Sequence, residues 1–111
     1  ARLARREHEA AERCFLAATG LSDGAVAAEA QFRIGESRAA RDDLDGAADA
    51  FVKLPILYAD ARWVRAGLLE AGRVYQRLRQ PDKAARFFRE LVERHAGSDE
   101  AETAAALLQD R

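Results

Sequence analysis

The side chains best suited to chemistry are two histidines and one cysteine, and their spacing is not that of a catalytic or metal centre. His8 lies between two glutamates in REHEA, without the second histidine of a zinc-binding helix. His95 lies on another predicted helix, and Cys14 lies among alanines, as a small core residue would. GLSDG (residues 20–24) follows a predicted helix, whereas a nucleophile elbow follows a strand. The sequence therefore predicts no enzyme, no cofactor and no metal site.

Arginines supply most of the 18 basic residues of the 111-residue chain. The 19 acidic residues balance them to a net charge of −1. A domain that binds nucleic acid through its overall field is clearly basic, so this composition disfavours nucleic acid. A local nucleic-acid contact through Arg62, Arg65, Arg73 and Arg77 stays open as an alternative.

Helices must position these side chains, because alanine, the strongest helix former, supplies much of the 49% hydrophobic content. The periodicity predicts helices over residues 2–19, 24–41, 46–57 and 61–79, then one that ends near His95 and one after GSDE (97–100). Short loops between them predict antiparallel neighbours. No stretch approaches the roughly 18 consecutive apolar residues that would span a membrane.

Pro55 interrupts the third predicted helix, in FVKLPILYAD. A proline removes an amide donor and crowds the preceding turn, so we expect the helix to kink or end near Leu54. Ile56, Leu57 and Tyr58 should then wrap onto the next helix as a repeat boundary. The alternative is an exposed apolar ledge for a partner.

The chain contains an internal repeat with a period of 37 residues. One string occurs twice, Gly-x9-Asp-x-Ala-Ala-x2-Phe-x2-Leu-x4-Ala, beginning at Gly35 and at Gly72. Its alanines, phenylalanine and leucine lie on one face of a predicted helix. The repeat therefore predicts two copies of one packing unit.

These residues resemble the tetratricopeptide repeat, a helix–turn–helix unit of about 34 residues. In that family a small residue in the first helix lets the second approach, and Gly35 and Gly72 match it. The aromatic residue three positions later is matched by Tyr75 but not by Arg38. The core positions of the second helix are matched by Ala47, Phe51 and Leu54, and again by Ala84, Phe88 and Leu91.

The ends of the repeats depart from the family pattern, because Ala59 and Ala96 stand where a proline is usual. Together with FRIGE (residues 32–36), the endings resemble a bacterial subgroup that includes the Tol-Pal-associated cell-division coordinator and the outer-membrane assembly lipoproteins. This finer resemblance favours the periplasm or cell envelope, with the cytoplasm as the alternative.

The resemblance implies an all-α fold in which about six helices form antiparallel helix–turn–helix repeats, stacked in a right-handed superhelix. It implies a single repeat domain over residues 1–111, with repeat units at about 24–60 and 61–97. Half-repeats would flank them at 1–23 and 98–111. Because the sequence begins within the pattern, we expect an excised segment of a longer protein.

In such a superhelix the first helix of each repeat lines a concave groove, and the resemblance implies that a protein or peptide binds there. Phe32 and Leu69 are equivalent positions and would form an apolar strip rimmed by arginines. Such a groove would accept an extended or helical peptide with apolar anchors and acidic groups. The predicted groove residues are Glu29, Phe32, Glu36, Arg62, Arg65, Leu69, Arg73, Gln76 and Arg77.

Two alternatives to this groove stay open. In the first, Phe32 and Leu69 pack on each other between repeats, and Glu36 pairs with Arg73. In the second, the chain is a structural segment of a larger envelope assembly and self-associates as a homo-oligomer through the apolar ends of the stack. Leu3 and Phe15 would lie at one end, and Leu107 and Leu108 at the other.

Overall fold

A computed structural model describes residues 24–109, which form five α-helices and no strand. The all-α prediction is confirmed. The helix predicted over residues 2–19, with His8 and Cys14, lies outside the described residues. The helices are α1 (Gly24–Ala40), α2 (Leu44–Leu57), α3 (Ala61–Arg77), α4 (Pro81–Arg94) and α5 (Asp99–Gln109).

Side-chain caps and one proline fix where the helices begin. Asp43 accepts a hydrogen bond from the Gly46 amide at 3.1 Å, so α2 begins two residues before the predicted start at Gly46. Asp60 caps α3 at the Trp63 amide (3.3 Å). Pro81 opens α4 at a position where its missing amide is not needed.

The turn between the two helices of each pair is the same in both repeats. Asp42 and Arg79, 37 positions apart, both adopt positive φ angles, 64° and 61°. This left-handed residue ends a helix and redirects the chain. The next amide then donates to the preceding helix in both turns: Asp43 N to Arg38 O and Gln80 N to Tyr75 O, each at 2.9 Å. The sequence repeat is thus a repeat of backbone conformation.

The two helices of each pair approach most closely at a glycine. A Cβ placed on Gly35 would lie 2.5 Å from Cε1 of Phe51, and a Cβ on Gly72 would meet the ring of Phe88 in the same way. Both rings are almost fully buried, at 2% and 1% exposure. Each ring therefore packs on helix backbone, and any side chain at the glycine would displace it.

Helix α3 contributes to two hydrophobic clusters. Its Ala71 and Val74 pack with residues of α1 and α2, while its Val64 and Leu68 pack with residues of α4 and α5. A Cβ on Gly67 would lie 2.5 Å from Leu54 Cδ1, so α2 and α3 also approach closely. Since both clusters use α3, neither helix pair completes its core alone.

The helices form two layers. Helix α1 contacts α3 and α3 contacts α5, whereas no Cα atom of α2 lies within 8 Å of a Cα atom of α4, both helices being fully described. Helices that meet on one side and separate on the other define a curved stack. We refer to α1, α3 and α5 as the inner layer and to α2 and α4 as the outer layer.

Helix α2 continues through Pro55 to Leu57, so it ends where the periodicity predicts and not at Leu54. The proline removes a single donor close to the helix end, and the Tyr58 amide still donates to Leu54 O at 3.1 Å. Ile56 and Leu57 do not wrap onto α3, because they are 70% and 65% exposed. Of the three residues expected to fold back, Tyr58 packs against the core.

The glycine contacts predict a stability loss in Gly35→Ala and Gly72→Ala. Because the obstructing rings are buried, we expect an overpacking cost of about 2–3 kcal/mol, in the upper part of the usual range, against a gain of about 1 kcal/mol in helix propensity. Each substitution should therefore lower the free energy of unfolding by ~1–2 kcal/mol. Urea denaturation measures it. Gly24→Ala is the control, because among the described residues no atom beyond its chain neighbours and its own helix backbone lies within 4 Å of its Cβ position. Equal stability of all three variants would contradict the close approach.

Candidate functional site

The candidate site is the surface that α1 and α3 share in the inner layer. The two helices meet there through side chains: the Phe32 and Trp63 ring centroids lie 5.5 Å apart, and the Arg33 guanidinium lies over the Trp63 ring at 5.6 Å. We call this surface the inner face. It comprises Glu29, Arg33, Glu36, Arg62, Trp63, Arg65, Leu69, Glu70, Arg73, Gln76 and Arg77.

Phe32 is a core residue, so the prediction that it forms an apolar strip of the groove with Leu69 is wrong. It is 8% exposed, and its ring centroid lies 5.3 Å from that of Phe51. Trp63 of the next repeat covers its other side. The residue that corresponds to Trp63 one repeat later, 37 positions on, is Glu100, which provides no such cover. Leu69 is therefore only half-buried, although Phe32 is its sequence equivalent.

The packing alternative also differs from the observed contacts. Phe32 belongs to the first hydrophobic cluster, whereas Leu69 packs at the edge of the second. Glu36 pairs with Arg33 at 2.6 Å and not with Arg73. The exposed side chains of the inner face belong to neither hydrophobic cluster.

Most arginines of the inner face are held by carboxylates. Arg33 lies between Glu29 and Glu36, and its neighbours on α3 pair in the same way. The pairs on α3 are Arg65 with Glu100 (3.2 Å), Arg73 with Glu70 (3.5 Å) and Arg77 with Asp42 (3.3 Å). The positive charge on which a nucleic-acid contact would depend is thus compensated locally.

Arg62 is the exception. Its exposed guanidinium lies over the Trp63 ring at 5.2 Å from the centroid. Within residues 24–109 no carboxylate lies within 4 Å of it. Trp63 and Arg33 are inner-face residues that the sequence did not single out. The seven-residue spacing of positions 63, 70 and 77 could have identified Trp63 from the sequence, because these positions form one stripe of α3 that faces α1.

The centre of the inner face brings two carboxylates together across α1 and α3. Burial raises the pKa of Glu70 above its ordinary value, the nearby Arg73 lowers it, and the charge of Glu36 raises it further. Folding therefore disfavours the ionised form of Glu70 at neutral pH.

Gln76 lies at the other edge of α3, beside a small apolar pocket. The pocket has a volume of about 30 Å³ and is lined by Gln76, Pro81, Ala84, Ala85, Phe88, Leu107 and Leu108. The two leucines of α5 are half-buried. The expected apolar end of the stack therefore corresponds to this opening between α4 and α5.

The described residues offer neither a metal-binding cluster nor a helix suited to span a membrane. Residues 24–109 hold no group of three or more histidine, cysteine or acidic side chains that could bind a metal ion. Among the five helices described, none is long and apolar enough to cross a membrane.

The raised pKa predicts that Glu70→Gln stabilises the fold at neutral pH. Because the pKa of Glu70 is higher in the folded state than in the unfolded state, ionisation of Glu70 destabilises the fold. This destabilisation is absent below the ordinary glutamate range and grows as pH rises through it. The gain should be present at pH 7 and vanish near pH 3, as measured by denaturant midpoints. Glu93→Gln, on the outer helix α4, serves as the matched control. A variant less stable than wild type at pH 7 would contradict this view of Glu70.

The comparison with protein families agrees with this geometry. The tetratricopeptide repeat family matches the chain twice, over residues 29–61 and 66–98. Each match covers one pair of helices joined by the repeated turn. No curated protein and no solved structure matches the chain.

Proposed function

Because the chain belongs to the tetratricopeptide repeat family, we propose that it is a non-catalytic scaffold that binds a protein segment along its inner face. Repeats of this family generally mediate protein–protein interactions. The observation that carries the proposal is that exposed inner-face side chains contribute to neither hydrophobic cluster. Glu29, Glu36, Arg62, Arg73 and Arg77 are all exposed on one surface.

The chemistry of the inner face favours a partner with both acidic and apolar groups. The guanidinium of Arg73 lies 3.5 Å from the Glu70 carboxylate, and that of Arg77 lies 3.3 Å from the Asp42 carboxylate. The two arginine side chains are 47% and 53% exposed. Surface pairs of this kind contribute little stability, so a partner carboxylate can replace the internal one at low cost. The half-buried Leu69 lies between Arg62 and Arg73 on the same side of α3 and supplies an apolar contact.

The proposal includes the organisation of the repeats. Two units at about 24–60 and 61–97 would form the binding surface, and half-repeats at 1–23 and 98–111 would extend it. The finer resemblance to bacterial envelope proteins has no support from the family match. A periplasmic or envelope location therefore stays a prediction from the sequence.

Self-association is a second candidate, favoured by the apolar pocket between α4 and α5. Phe88, Leu107 and Leu108 are among the residues that line it. A second copy could insert an aliphatic side chain there. In that case the chain would serve as a structural segment of a larger assembly.

A library of random dodecapeptides displayed on phage tests the inner face directly. Peptides selected on the wild-type chain should bind the Arg73→Glu variant at least tenfold more weakly, because the variant repels their carboxylates. The same peptides should bind Arg89→Glu unchanged, since Arg89 is an exposed arginine of the outer helix α4. Unchanged circular dichroism of both variants ensures that the fold is intact.

Two results of this selection would contradict the proposal. Peptides that bind both variants equally would place the binding surface elsewhere. A chain that selects no peptide, and that sediments as a dimer dissociated by Leu108→Asp, would favour the structural self-associating segment.

A further inference from the structure

Arg62 differs from the other arginines of the inner face in its surroundings. Arg33, Arg65, Arg73 and Arg77 each have a carboxylate oxygen within 3.5 Å. In the part of the chain that the structure describes, the Arg62 guanidinium has no such neighbour. It is therefore the inner-face cation that can accept a carboxylate without breaking an existing pair.

The Arg62 guanidinium is also held in place. It lies over the Trp63 ring, whose position is fixed by the Phe32 ring at a centroid distance of 5.5 Å. A guanidinium over an aromatic ring keeps the N–H groups along its edges available for a two-point contact with a carboxylate. Because the arginine is already restrained, less side-chain freedom is lost when that contact forms.

An apolar contact lies at a defined distance from Arg62. Arg62, Ala66 and Leu69 follow the spacing i, i+4, i+7 and share one stripe of α3. The axial separation of Arg62 and Leu69 is about 10 Å, from a rise of ~1.5 Å per residue. Ala66, with its small side chain, leaves the surface between them unobstructed.

We infer that the inner face binds a protein segment that places a carboxylate on Arg62 and an aliphatic side chain against Leu69. In an extended polyproline-type segment, residues three apart lie on the same side at a distance of about 9 Å. The partner segment should therefore carry an acidic residue and a leucine, isoleucine or valine three positions apart. This inference rests on the proposed function and specifies the chemistry of its partner.

The single tryptophan of the chain makes the subsite directly observable. Trp63 is the only tryptophan, so intrinsic fluorescence reports on the indole next to Arg62. The probe is an acetylated, amidated dodecapeptide that contains Pro-Glu-Pro-Pro-Leu-Pro, with matched peptides in which glutamine or lysine replaces the glutamate. Titration of the wild-type chain should give at least roughly tenfold weaker binding for the glutamine peptide.

A charge exchange separates a direct contact from a structural effect. Arg62→Glu should lose binding to the glutamate peptide and gain binding to the lysine peptide. Arg86→Glu, a charge reversal at an exposed position of α4, should behave as the wild type. A change that only loosened the fold would weaken both peptides and would not reverse the preference.

The outcomes distinguish this inference from the proposed function. Equal binding of the glutamate and glutamine peptides, no binding up to millimolar concentration, or no reversal in Arg62→Glu would overturn the inference. If library-selected peptides still depended on Arg73 in that case, the inner face would remain the binding surface with a different partner chemistry. If the selected peptides ignored Arg73 as well, the proposed function would fall with the inference.

Discussion

The contact between a glycine and a phenylalanine ring is the constraint on which the rest of the structure depends. Gly35 beneath Phe51, and Gly72 beneath Phe88, bring the two helices of each pair to a distance that no side chain at the glycine would permit. That approach buries both rings and sets the angle at which the pair presents its remaining apolar surface. Helix α3 then joins the two pairs, because its opposite sides complete different clusters. The two repeats should therefore unfold together, because displacement of α3 would expose both clusters.

The hydrophobic clusters do not need the exposed side chains of the inner face, so these side chains can serve binding. Most arginines of α1 and α3 form ion pairs, and the exposed pairs among them contribute little to stability and can be exchanged. Exposed pairs such as Arg77 with Asp42 bridge successive repeats without forming part of a cluster. Among the residues that the structure describes, Arg62 contacts an aromatic ring and no carboxylate. The separation of core and surface explains how one repeat pattern can serve different partners, since groove residues can change while the glycine and phenylalanine stay.

The sequence predicts the repeat core well and the inner face only in part. Helical period and the doubled Gly–Ala–Phe–Leu string suffice for the helices and their pairing, because these residues contact neighbours within the same repeat. Phe32 could not be assigned in this way, since its burial depends on Trp63 in the next repeat. The shift that equates Phe32 with Leu69 also equates Trp63 with Glu100, so one position has an aromatic cover and the other a charged neighbour. Inter-repeat contacts of this kind follow from helix register and crossing geometry, which single-repeat patterns do not contain.

A map of the residues that a bound peptide contacts tests most directly whether the inner face is the binding surface. Backbone amide chemical shifts of the 15N-labelled protein, recorded during titration with a library-selected peptide, locate the contact residue by residue. Binding at the inner face predicts the largest changes along α1 and α3, including the amides around Arg33, Arg62, Leu69 and Arg73. Changes concentrated on the exposed surfaces of α2 and α4 would contradict it and would place binding on the outer layer.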